Sequence, residues 1–227
     1  MRFRFAICLV LLVALVPAAW SQEEEKGPVH PALLVIDVQE AFLPMMDANG
    51  RDSAMQTING YIWLFRQHGF PVIRVYHTDP KWGPAPDSPG FPFPDAITVQ
   101  ESDPKIVKHY PSAFVDTELD ATLKEMGVNT LFLCGLSATG CVLATYFGAM
   151  ERHYDMFMIE GALLSPSAEQ TKAITEILEE HHVLLEPRIE DDGAIRENEV
   201  VRPRCDHRLQ AAVVLDRLVQ RALEIGA

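Results

Sequence analysis

Positive charge is scarce in this chain of 227 residues: 19 Lys and Arg stand against 32 Asp and Glu, a formal net charge of −13. Such a surface offers no electrostatic footprint to a polyanion, which excludes nucleic acid as a partner. Hydrophobic runs of spanning length are also missing. The longest, residues 5–16, is shorter than the ~20 residues that cross a bilayer, and Pro17 interrupts its end. Cysteine is sparse, with only Cys8, Cys134, Cys141 and Cys205. So few cysteines do not build a disulfide framework, and a conventional apolar core must stabilise the fold.

The amino terminus has the order of a secretory signal: Arg2 and Arg4, the apolar run, then Ala19 and Ser21 in a small-x-small arrangement. This predicts a signal peptide over residues 1–21, with cleavage before Gln22 into a secreted or periplasmic chain that keeps no stable membrane association. An uncleaved anchor is the rival reading. Cleavage removes Cys8 and leaves an odd number of cysteines in an oxidising compartment, so at least one is unpaired within the chain. Residues 22–31 are expected to be a loose polar leader, and residues 32–227 one domain.

Within that domain, short apolar runs alternate with amphipathic segments. Strands are predicted at residues 32–37, 71–77, 106–107, 130–134, 155–159 and 183–185. Helices are predicted at residues 52–68, capped by Asp52 or Ser53 and stopped by Gly69, and at residues 117–126, 141–152, 168–180 and 209–225. The Pro- and Gly-rich residues 79–94 must be a loop. This alternation argues for a parallel sheet covered on both faces, in which ligands bind beyond the carboxyl ends of the strands.

The residues at those ends are Asp37, His77, Lys108 and the turn from Gly135 to Cys141. Cys141 is predicted to open a helix, where unpaired backbone N–H groups and the helix dipole favour a thiolate. A small buried core thiol is the plainer alternative. Asp37 closes an apolar strand, which makes it a cap or a catalytic group. A lone lysine in the position of Lys108 is ordinarily solvated. His77 fits a cap, a substrate contact or the base of a Cys–His pair.

Three segments together resemble the isochorismatase-like cysteine hydrolases. They are Val35-Ile36-Asp37-Val38-Gln39-Glu40-Ala41-Phe42, Lys108-His109-Tyr110-Pro111-Ser112-Ala113-Phe114, and Gly135-Leu136-Ser137-Ala138-Thr139-Gly140-Cys141-Val142. The resemblance covers roughly residues 32–185. It implies a single three-layer α/β/α, Rossmann-like domain and a catalytic triad. In that triad Cys141 is the nucleophile, Asp37 the general acid and base, and Lys108 the group that stabilises the thiolate. It further implies a cis peptide between Leu136 and Ser137, an oxyanion hole from the Ser137 and Cys141 N–H groups, and substrate contacts from Phe42, His77, Phe114 and Ala138. Ala138 stands where many relatives carry Thr. Relatives of this kind are commonly homo-oligomers, so a homo-oligomer acting on a small-molecule substrate is expected.

Two departures narrow the implied activity. No Asp-x-His lies between Asp37 and Lys108, and His77-Thr78-Asp79 runs in the reverse order. The resemblance therefore points away from metal-dependent nicotinamidases and implies no metal or other cofactor. The cysteine in the turn points away from vinyl-ether hydrolysis. The expected function is hydrolysis of a C–N bond in a small amide, carbamoyl or ureido compound. A thiol redox protein and a non-catalytic binding domain are the alternatives. Amino-terminal sequencing of the exported protein should find Gln22 first; a start at Met1 in a membrane fraction would establish the anchor instead.

Overall fold

A computed structural model describes residues 28–179 and two short strands, Arg188–Ile189 and Ile195–Arg196. The strand expected at residues 183–185, the helix at residues 209–225, the signal and residues 22–27 of the leader lie outside the described residues; the end of the expected leader is instead ordered, with Pro31 opening the first strand and the Pro28 carbonyl and His30 N–H bonded to the Asn129 side chain.

The chain enters through β1 (Pro31–Ile36), a wholly buried strand, and forms α1 (Ala48–Gln67). The edge of the sheet follows as β2 (Val72–His77) and β3 (Lys105–Lys108). After α2 (Leu119–Glu125) comes β4 (Thr130–Leu136), a π-turn at Ala138–Val142, and α3 (Leu143–Met150). β5 (Asp155–Leu164) and α4 (Ala168–Glu179) complete the layer. A small antiparallel pair, β6 (Arg188–Ile189) with β7 (Ile195–Arg196), stands apart from the main sheet.

The five-stranded sheet runs β3-β2-β1-β4-β5 and is parallel throughout. β1 is central: the chain moves outward from it to β3, then returns to its other side for β4. The switch in strand order therefore falls between β1 and β4, where open α/β sheets place their ligands. Strand alternation sorts the core into two halves. Leu33 and Val35 face Ile58, Ile62 and Phe65 of α1, with Phe91, Phe93 and Ile97 from the long loop. Leu34 and Ile36 face the opposite layer, with Leu119 and Leu123 of α2, Tyr146 and Ala149 of α3, and Leu178 of α4. This is the three-layer parallel α/β domain expected from the sequence.

Several boundaries differ from expectation for local reasons. α1 begins at Ala48 because the Asp47 carboxylate accepts hydrogen bonds from the Asn49 and Gly50 N–H groups; Asp52 and Ser53 lie inside the helix and cap nothing. Gly69 does end it, with φ at +70°. α2 is shorter than expected because Thr117 takes part in the turn that precedes it, its hydroxyl donating to the Ala113 carbonyl and accepting the Leu119 N–H. β5 continues five residues past the expected end, to Leu164, through a register irregularity against β4.

Gly135 lets β4 lie against β1 at the switch point. Its φ is +111°, and a Cβ there would run into the Ile36 carbonyl oxygen. Gly135→Ala combines a disfavoured backbone with a backbone clash, so it should cost at least ~2 kcal/mol of folding stability. Urea denaturation of the purified variant measures this, and an unchanged midpoint would show that the strands relax around it.

Candidate active site

β1 ends in a sharp turn. Asp37 has φ at +56°, its N–H still donates to the Val75 carbonyl of β2 at 2.9 Å, and its carbonyl accepts the Gln39 N–H at 2.7 Å. The Asp37 carboxylate is left almost wholly buried at the foot of the switch point. From β3, two strands away, Lys108 reaches it: Nζ lies 2.7 Å from Asp37 Oδ2, and the lysine side chain is fully buried. The ammonium has two further partners, His77 Nδ1 at 3.1 Å and the Tyr110 carbonyl at 3.3 Å. Three acceptors meet three N–H donors, so the buried cation is satisfied. Lys108 is thus no solvated surface residue.

Cys141 comes from the other side, in the turn after β4. The Leu136–Ser137 peptide is cis, as the resemblance implied. The Ser137 carbonyl accepts from the Gly140 N–H at 3.0 Å and from the Val142 N–H at 3.2 Å, which folds the turn tightly. The expected helix start at Cys141 is displaced: residues Ala138–Val142 form the π-turn, and α3 begins at Leu143. Asp37, His77 and Cys141 each place one ligand atom within 4.8 Å of the others. The structure therefore brings Asp37, Lys108, His77 and Cys141 together from four separate strand ends.

The electrostatics correct one expectation. Burial pushes the Cys141 thiol up to about 12, and the Asp37 charge adds to this, while Lys108 opposes it. The free thiolate favoured by the helix-end argument is overruled by desolvation and the adjacent carboxylate. Burial also raises Asp37, against the pull of the Lys108 charge. Both shifts run upward, so Cys141 is held as a thiol and the Asp37 carboxyl has a heightened affinity for a proton. Burial, followed by the Lys108 charge, lowers His77 to about 4, so its imidazole is neutral.

The remaining expected contacts separate. Phe42 packs beside His77, with ring centroids 6.0 Å apart, and so flanks the site. Phe114 is instead a core residue. Its ring stacks on Tyr154 at 5.9 Å and carries the Arg152 guanidinium at 4.9 Å, because Ala113 and Phe114 are drawn under α3. Ala138 is fully buried in the same half of the core. Cys134 is buried, with its thiol pushed far up by desolvation and directed at the Leu34 carbonyl, so it is no redox partner for Cys141.

Two positioning residues carried no role in the sequence. Gln39 is fully buried and binds three backbone groups: its Oε1 accepts the His77 N–H, and its Nε2 donates to the His77 and Phe91 carbonyls. Thr145 is also buried. Its hydroxyl donates to the Cys141 carbonyl at 2.8 Å and accepts the Ala113 N–H at 3.0 Å, joining the Cys141 turn to the segment after Lys108. The available signal was a polar residue placed where burial was expected.

A Cys, His and Asp donor set suits a divalent ion such as zinc. Here the Lys108 ammonium already sits 2.7 Å from Asp37 Oδ2 and 3.1 Å from His77 Nδ1, so a second cation would meet its repulsion at close range. Asp79 is turned to its own loop, its Oδ1 accepting the Lys81 and Trp82 N–H groups. These residues do not fit a resident metal.

Fold and site together define a parallel α/β domain whose switch point gathers an acid, a lysine and a cysteine. The Isochorismatase domain family matches residues 31–184, and the chain belongs to the isochorismatase family. It is 30% identical over 159 residues to the isochorismatase family protein YddQ of Bacillus subtilis, covering 68% of this chain and 88% of that protein. It is 28% identical over 162 residues to maleamate amidohydrolase of Pseudomonas putida, covering 62% of this chain and 74% of the relative. The solved N-carbamoylsarcosine amidase of Thermoplasma acidophilum superposes with a TM-score of 0.58 at 26% identity, covering 66% of this chain and 94% of that one. The protein is an isochorismatase-family hydrolase.

The lowered His77 sets a pH dependence. Between its ordinary 6.5 and about 4, the unfolded chain takes up a proton that the folded chain refuses. The stability from neutral His77 is therefore complete above pH 6.5 and is lost as pH falls through 4. Urea midpoints at pH 7 and pH 5 should show a smaller acid loss in His77→Gln than in wild type; equal losses would show that other groups carry the effect.

Proposed function

We propose that this chain is a metal-independent cysteine amidohydrolase that cleaves a C–N bond in a small amide, carbamoyl or ureido compound. The observation that carries the reading is the buried Asp37–Lys108 ion pair set against Cys141. A buried charge pair is costly to assemble and contributes little net stability, so its place beside a thiol at the switch point argues for chemistry. The names of the two amide-cleaving relatives support the same class.

The steps follow from the proton positions. As the Cys141 sulfur attacks the carbonyl carbon, its proton passes to Asp37. Charge moves from a carboxylate held by Lys108 to the substrate oxygen, where the Ser137 and Cys141 N–H groups form the oxyanion hole. Collapse of the tetrahedral intermediate breaks the C–N bond, and Asp37 delivers the proton to the departing nitrogen. Asp37 next takes a proton from water as the oxygen attacks the thioester. The acid product then leaves, and the proton returns to sulfur. Lys108 stays beside Asp37 and moderates the build-up of negative charge on the carboxylate and the sulfur.

Incubation with small amides and ureas should release ammonia or an amine, give a thioester on Cys141 detectable by peptide mass, and persist after chelation. Cys141→Ala should abolish the adduct. Lys108→Met should lower turnover by a factor of ~10² or more, as for loss of a positioned electrostatic group, and move Cys141 alkylation by iodoacetamide to higher pH. Turnover and alkylation profiles that match wild type would remove Lys108 from the mechanism. Metal-free protein that is inactive and restored by zinc would replace the metal-independent reading.

A further inference from the structure

We propose that Asp37, His77 and Cys141 form a latent site for a thiophilic divalent cation such as zinc, and that a second duty of Lys108 is to keep such ions off the Cys141 sulfur. Metal exclusion of this kind is independent of the reaction the site performs.

The three residues offer a sulfur, an imidazole nitrogen and a carboxylate oxygen, and these atoms lie within 4.8 Å of one another. Zinc binds such donors with bonds of ~2.0–2.3 Å, which sets them roughly 3.4–3.7 Å apart around a tetrahedral ion. Small side-chain rotations therefore close the set, and three protein donors leave a fourth position for water. The sulfur would bind as thiolate, its proton passing to solvent. His77 and Cys141 are part-exposed, so a hydrated ion can reach them.

One charge stands against this. Lys108 Nζ lies 2.7 Å from Asp37 Oδ2 and 3.1 Å from His77 Nδ1. An ion bound through Oδ2 would sit within roughly 5 Å of the ammonium, where two positive groups in a dehydrated setting repel strongly. The ammonium has nowhere to withdraw. Its side chain is fully buried, and the Tyr110 carbonyl, 3.3 Å from Nζ, holds it from a third direction. A lysine suits the duty. Its nitrogen balances the Asp37 charge as a metal would, yet an ammonium has no lone pair to give and forms no bond to sulfur, so the thiol stays free for covalent chemistry.

Cobalt(II) is the probe, since a cobalt–thiolate bond absorbs in the near ultraviolet and zinc competes for the same donors. Reduced wild-type protein titrated with cobalt at neutral pH should show no such band. Lys108→Leu should bind one ion at least about a hundredfold more tightly than wild type, with the band, and zinc should displace the cobalt. The band should vanish when Lys108→Leu is combined with Cys141→Ala or with His77→Phe. Should Lys108→Leu fold poorly, zinc supplies a second measurement: an ion bound by the folded state must raise the thermal midpoint, and raise it less once Cys141→Ala is added. A cobalt–thiolate band in wild type as strong as in Lys108→Leu, or a Lys108→Leu protein that zinc neither binds nor stabilises, would overturn the proposal.

Discussion

The site depends on one buried ion pair. Removing either partner from a buried pair typically costs ~3–5 kcal/mol, because the other is left as an uncompensated charge. In this fold Asp37 and Lys108 come from strands with β2 between them, and they meet only because the sheet is parallel and its carboxyl ends lie together. The pair sets the protonation of its surroundings. Its cation opposes the upward push that burial gives both Asp37 and Cys141, and it lies 3.1 Å from His77 Nδ1.

Around this centre the positioning is done largely by uncharged groups. Gln39 fixes the end of β2 to the turn after β1, and Thr145 fixes the Cys141 turn to the segment after Lys108. Each is buried and bonded to backbone, where a missing partner leaves a peptide group unsatisfied at ~1–3 kcal/mol. The charges are few, and neutral hydrogen bonds locate the segments that carry them.

The fold was largely legible in the sequence because its strands are continuous apolar runs and its helices keep a helical period. The helix α1 shows where legibility ends. Asp47, Asp52 and Ser53 are all acceptable caps, and only the tertiary path of the chain chooses among them. Asp37, Lys108 and Cys141 were found through three motifs in order, since spacing alone left Lys108 looking like surface. The charge state of Cys141 was misjudged because burial and the neighbouring carboxylate belong to the assembled site, not to the local segment. Phe114 was misplaced for a related reason: an aromatic near the lysine in sequence points beneath α3 in space.

The long excursion between β2 and β3 is attached to the floor of the site at its far end. Residues 90–92 supply the carbonyls that receive Ala41 N–H, Gln39 Nε2 and Glu40 N–H. None of these three bonds uses the side chain of Asp37, Lys108 or Cys141. The chemical apparatus and the rim above it are thus separable parts. Residues 84–89 carry their own ties: the buried Thr78 hydroxyl donates to the Pro84 carbonyl at 2.8 Å, and the Phe91 N–H donates to the Ser88 carbonyl at 3.1 Å. The rim is therefore held to the strand ends by hydrogen bonds of its own, independent of the charged groups on the floor.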